Sequence, residues 1–210
     1  MESKPTPHSS RPNERIENTL AGLMFLSWAI MRIASAEDID RWTLPQVTPA
    51  FVHLVVGGLF LIRSTAVLHG DATTLALCLP SFIAGGTAMT LAPESHLWPS
   101  HSQALFVVGG IGAVVGMTYL GRNFAVFPAV RKIVVNGPFR LIRHPIYFFE
   151  LIMIAAACLT TGSWLHGLLF LAAIASTALR IVCEENLLAS SEPYAAFCQS
   201  VRWRLIPGIW

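Results

Sequence analysis

Residues 135–150 read VNGPFRLIRHPIYFFE, a polar stretch set between long apolar runs. Within sixteen residues it holds Asn136-Gly137-Pro138, the cations Arg140 and Arg143, His144, Pro145, Tyr147 and the carboxylate Glu150. About thirty residues further on, RIVCEE (residues 180–185) interrupts the last apolar run with Arg180, Glu184 and Glu185. Ionisable groups at membrane depth are costly and by default functional. The reading that decides the fold is that these two islands meet and form one site at the end of a helical hairpin.

Composition sets the frame for that reading. The chain has 210 residues, 54% hydrophobic and only 12% charged. Soluble domains carry about 25% charged residues, so this chain lacks the polar surface to cover a globule and belongs to the membrane class. The formal net charge is +2 and no long basic run is present, which argues against a nucleic-acid partner. The cysteines (Cys78, Cys158, Cys183 and Cys198) show no metal-ligand spacing and read as reduced, small apolar side chains. The polar N-terminus lacks the apolar stretch and cleavage site of a signal peptide.

A membrane-crossing helix needs about 20 largely apolar residues. Six segments qualify or nearly so: 20–36, 50–69, 72–92, 102–121, 146–161 and 164–182. The expected fold is an all-α, polytopic bundle of about six transmembrane helices with a C-terminal amphipathic helix. Gly70-Asp71 reads as a tight helical hairpin, and Thr161-Gly162-Ser163 as another. The expected organisation is a polar N-terminus (1–18), four transmembrane helices (19–121), and a region of connector, hairpin and interfacial tail (122–210). Ser191 reads as the N-cap of the last helix, whose Tyr194, Phe197 and Val201 share a face expected to lie on the membrane surface. With the N-terminus in the cytosol, ten Lys and Arg residues fall in inner loops and only Arg41 in outer ones. Both termini and the site are then cytosolic by the positive-inside rule, and the compact chain suits a bacterial inner membrane.

If the last two long helices run antiparallel about residue 162, His144 lies level with Arg180, and Arg140 with Glu184. Tyr147 and Glu150 follow deeper in the membrane. At these residues the sequence resembles the isoprenylcysteine carboxyl methyltransferase family, integral-membrane enzymes that include phospholipid N-methyltransferases. The family signature R-H-P-x-Y-x-G, then E-E-x-x-L and a tyrosine, stands here as Arg143-His144-Pro145-Ile146-Tyr147-Phe148-Phe149, Glu184-Glu185-Asn186-Leu187-Leu188 and Tyr194. Gly137-Pro138-Phe139-Arg140 and the connector Leu120–Phe124 are also similar, and the likeness covers about residues 116–210. Phe149 stands where the family has glycine; its ring would narrow the passage for cofactor or acceptor, or the helix packs differently.

The resemblance implies S-adenosylmethionine as cofactor, no metal, and a lipophilic or lipid acceptor reached from the bilayer. It implies that Arg143, His144, Pro145, Tyr147, Glu184, Glu185, Arg140 and Gly137 bind the cofactor. Glu184 or Glu185 would meet the ammonium of its methionine moiety and Arg143 the carboxylate. Glu150 and Arg180 are the expected catalytic pair, with Glu150 orienting or deprotonating the acceptor. The acceptor atom stays open among carboxylate, amine and thiol. A membrane oxidoreductase related to sterol reductases and a non-catalytic membrane protein are the alternatives.

Overall fold

The computed structural model describes residues 13–35, 42–189 and 191–210. The polar segment 1–12 and Arg41, both used in the orientation argument, lie outside the described residues. The chain is a bundle of seven described α-helices: α1 (Glu14–Ala34), α2 (Leu44–Ile62), α3 (Ala72–Leu91), α4 (Ser100–Leu120), α5 (Pro145–Cys158), α6 (Trp164–Leu188) and α7 (Glu192–Ser200). Two-residue strands β1 (Leu68–His69) and β2 (Ala129–Val130) pair antiparallel, Leu68 opposite Val130. The helices α2, α3, α4 and α6 are long and apolar enough to cross a membrane, whereas α5 has 14 residues. At 1.5 Å per residue α5 spans only about 21 Å, less than a hydrocarbon core of about 30 Å.

Local chemistry sets the helix starts. Thr43 and Gln46 form a capping box at α2, the Thr43 backbone N–H donating to Gln46 Oε1 at 2.7 Å, with a proline in the first turn. Asp71 caps α3 by accepting from Thr74 N at 2.7 Å. Pro145 opens α5, where its missing N–H costs nothing. The α5–α6 turn passes through Gly162, whose φ of +60° favours glycine.

Glycines decide which helices pack closely. On α4, a Cβ at Gly109 would lie 2.7 Å from Met153, one at Gly116 2.7 Å from Ile146, and one at Gly112 within the ring of Phe149. Those bare surfaces let α5 settle on α4, as α6 settles on α3 and α1 on α2. The two legs of the α5–α6 hairpin are therefore splayed, each resting on another helix, and polar side chains meet between them at one end.

Several expectations are corrected. No tight hairpin forms at Gly70-Asp71: α2 ends at Ile62, and residues 63–70 run extended to pair with the connector. α1 begins at Glu14 rather than 20, and α2 at Leu44 rather than 50, because the capping box starts it early. The connector turns through Gly121–Asn123 and then runs extended. α7 turns Tyr194 and Phe197, with Val201 just past its end, onto Val130, Phe139 and Leu188, so this face is buried in protein instead of lying on lipid. Ser191 precedes α7, but its hydroxyl donates back to Leu188 O instead of capping the new helix.

Candidate active site

The two polar islands meet, and Glu185 is the centre of the contact. Its side chain, 8% exposed, holds three cationic or donor groups. His144 Nε2 lies 3.1 Å from Oε1, Arg143 Nη1 3.3 Å from the same oxygen, and Arg204 Nε donates to Oε2 at 2.7 Å. Arg143 Nη1 also donates to Cys198 Sγ of α7 at 2.8 Å. The tail is bound to the same place through backbone: Arg143 N donates to Trp203 O and His144 N to Arg204 O, both at 2.9 Å. Residues 201–205 thus close over the start of α5. Tyr194 lies in this layer, and burial, with Glu185 and Cys198 beside it, pushes its phenol well above the usual tyrosine range.

Glu184 has a different environment. Tyr147 Oη donates to Glu184 Oε2 at 2.5 Å, and Oε1 has no protein donor among the described residues. The Tyr147 and His144 rings lie parallel, 5.5 Å between centroids and 5° between planes. A carboxylate oxygen with spare acceptor capacity therefore adjoins two parallel ring faces. A bound cation is the ligand group that such a carboxylate can take.

Arg180 lies one helical turn before Glu184, 3% exposed. Its guanidinium is sandwiched between Phe82 of α3 and Tyr147 of α5, 4.2 and 4.4 Å from the ring centroids. Nη2 donates to Val126 O of the connector at 2.5 Å, and Nη1 lies 3.7 Å from Glu150 Oε2. Three elements besides its own fix this one cation. Glu150 is less enclosed, its side chain 38% exposed, with Arg180 beside it.

The cluster brings together Arg143, His144, Tyr147, Glu150, Arg180, Glu184 and Glu185, with Pro145 at the head of α5. It does not bring Arg140, which is exposed and forms no ion pair among the described residues. The expected level pairing of His144 with Arg180 and Arg140 with Glu184 is also corrected. Glu184 meets Tyr147, Arg180 meets Glu150, and His144 meets Glu185. Helical side chains lean toward their own N-terminus. On α5 that lean runs toward the site end, and on α6 toward the hairpin turn, so both shift the pairing in the same direction. Arg140 also precedes the helix: it ends a 3₁₀ turn, Gly137–Arg140, that leaves the α5 axis. Gly137 has φ +58°, and a Cβ there would strike the Tyr119 ring at 2.5 Å, so its glycine is explained by packing.

Phe149 does not narrow the site. Its ring lies over Gly112 on α4 and joins the apolar cluster with Phe60 and Phe124. Arg204, Cys198, Phe82 and the Val126 carbonyl are site members that the motifs did not indicate. Arg204 alone carried a sequence signal, as a cation flanked by Trp203 and Leu205 in the tail; the others enter only because distant segments fold together.

Residues 99–192 match the family of phospholipid methyltransferases. The matched stretch runs from the start of α4 to the first residue of α7 and contains every cluster residue above except Phe82, Tyr194, Cys198, Trp203 and Arg204. The likeness expected of residues 116–210 to membrane methyltransferases is thus borne out over most of its length. No curated protein matches the chain.

Proposed function

We propose that this protein transfers a methyl group from S-adenosylmethionine to a lipophilic acceptor drawn from the bilayer, at the site end of α5 and α6. The observation that carries the reading is Glu184, with one oxygen held by Tyr147 and the other spare, beside the parallel His144 and Tyr147 rings and inside the methyltransferase-like stretch. When bound, the cofactor supplies a sulfonium-activated methyl group, which passes to a nucleophile by in-line displacement and leaves S-adenosylhomocysteine.

The remaining roles belong to the protein. Glu184 accepts the ammonium of the methionine moiety, and the buried, stacked His144 and Tyr147 rings hold it in place from behind. Glu185 does not contact the ligand: already engaged by Arg143, His144 and Arg204, it holds the tail and the α5 start together. Arg143 meets Glu185 and Cys198 through Nη1 alone, and its buried Nε, without a partner among the described residues, is left to meet the cofactor carboxylate. Glu150, partly exposed, is open to a lipid approaching sideways, and Arg180 holds its position. For an amine acceptor, Glu150 takes the proton as the nitrogen lone pair bonds to the methyl carbon. Much of the acceleration comes from alignment in a water-poor cleft, an effect worth up to ~7–11 kcal/mol. Four full crossings by α2, α3, α4 and α6, with α1 seated along α2, the shorter α5 against α4, and both termini and the site in the cytosol, complete the reading.

Thermal stabilisation of the purified protein in detergent tests cofactor class, since specific binding raises stability by mass action. S-adenosylhomocysteine is expected to raise Tm and a nicotinamide dinucleotide to leave it unchanged. The reverse result would assign the site to a reductase.

A further inference from the structure

A second buried charge cluster lies outside the site, where α1, residues 63–70 and the connector meet. Glu14, in the first turn of α1, is 1% exposed. Both of its oxygens accept from Ala66 N at 3.1 Å, Arg131 Nη2 donates to Oε1 at 2.8 Å, and His69 Nε2 lies 3.4 Å from Oε2. Arg131, its side chain 2% exposed, also donates from Nε to Ser64 O at 3.0 Å. Burial draws the Arg131 guanidinium pKa down while Glu14 pulls it back up. Arg63, which donates to Asn18 Oδ1 at 2.6 Å, lies beside the pair.

These contacts converge on one piece of backbone. Ser64 N and Oγ both donate to Arg122 O at 2.8 Å, fixing the start of the connector. Val67 N donates to Val130 O and Gly70 N to Pro128 O, fixing its end. The arch between these fixed points carries the Val126 carbonyl that accepts from Arg180. Glu14 is thus joined to the guanidinium behind Glu150 through two rigid links: residues 64–70, then 122–131. Glu14 and residues 63–70 all precede the stretch that matches the methyltransferase family.

We propose that Glu14 and Arg131 are positioning residues for methyl transfer: their buried pair holds the connector arch, and so the Val126 carbonyl, where it fixes Arg180 against Tyr147 and beside Glu150. The proposal rests on the function read above and gives the helix α1 a part in it. Glu14 touches neither cofactor nor acceptor, so its loss acts on the transfer step and leaves cofactor affinity unchanged.

The test compares full-length Glu14→Gln, Arg131→Lys and Asn18→Ala with wild type in lipid nanodiscs. Asn18→Ala removes the other polar tie of α1 without touching the connector. Three readouts are taken: kcat for label transfer from S-adenosylmethionine into lipid, calorimetric affinity for S-adenosylhomocysteine, and hydrogen exchange of the 122–131 amides. Glu14→Gln is expected to lower kcat at least tenfold and to speed connector exchange at least fivefold, with affinity within twofold of wild type. Arg131→Lys, which keeps the charge but loses the bond to Ser64, is expected to fall between, and it carries the test where Glu14→Gln fails to fold. Asn18→Ala is expected to leave kcat and connector exchange within twofold. Glu14→Gln with kcat within twofold of an active wild type, or an equal loss in Asn18→Ala, would overturn the proposal and leave the functional reading intact. A wild type that binds no S-adenosylhomocysteine and transfers no label would overturn the functional reading, and this proposal with it.

Discussion

Adjacent glutamates on one helix have unlike surroundings here, and the difference separates binding from support. Glu184 shares one oxygen with Tyr147 and keeps the other; Glu185 is enclosed by Arg143, His144 and Arg204. Glu184→Gln is therefore expected to weaken S-adenosylhomocysteine by roughly 1.5–3 kcal/mol, the scale of a lost charged hydrogen bond, with little change in Tm. Calorimetry on the folded variant checks this. Glu185→Gln leaves buried cations without their counter-charge, a loss on the order of 3–5 kcal/mol when one partner of a buried pair is removed. It is expected to lower Tm by several degrees in the absence of any ligand, and an unchanged Tm would remove Glu185 from its structural role. Glu150→Gln is expected to reduce turnover strongly while cofactor affinity stays intact; normal turnover on the true acceptor would leave Glu150 a structural residue. The motif residues were legible in sequence because their types are rare in apolar surroundings. Their division of labour was not, since it depends on Arg204 and Cys198, which arrive from a tail whose fold no local pattern specifies.

At the scale of elements, the glycines of α4 determine how α5 is seated. Phe149, which stands where the resembled family has glycine, turns its ring onto Gly112 and into the apolar cluster with Phe60 and Phe124. Phe149→Gly is expected to leave a void over Gly112 and cost about 3–5 kcal/mol, as for aromatic truncation in a core, without altering cofactor affinity. Gly112→Ala is expected to destabilise as well, because its methyl would meet the ring at 2.3–2.4 Å, and Phe149→Leu should recover part of the loss. Thermal unfolding of the single and double variants measures both; additive losses would separate the two residues. Apolar length predicted the helices α3, α4 and α6 well, since composition alone marks a span. It misplaced α1 and α2, whose limits are set by a buried carboxylate at Glu14 and a capping box at Thr43. The extended segment 63–70 escaped notice because no glycine or proline interrupts it before Gly70, and only pairing with 128–130 holds it extended.

At the scale of the molecule, the polar cluster, the connector and the tail all gather at one end of the bundle, and the proposed orientation puts that end in the cytosol. Single cysteines introduced at residues 94–100 should react with an impermeant reagent from outside, and those at 131–140 should not. Labelling of the latter stretch from outside would reverse the orientation. The account as a whole rests on methyl transfer to a lipophilic acceptor, with Glu184 holding the donor. Its most direct measurement incubates wild type and Glu184→Gln with methyl-labelled S-adenosylmethionine and a total membrane lipid extract, then follows label and product mass. The account predicts a lipid product heavier by one methyl group with wild type, and a transfer reduced at least tenfold at limiting cofactor with Glu184→Gln. No labelled lipid with wild type, or equal labelling by both proteins, would contradict it.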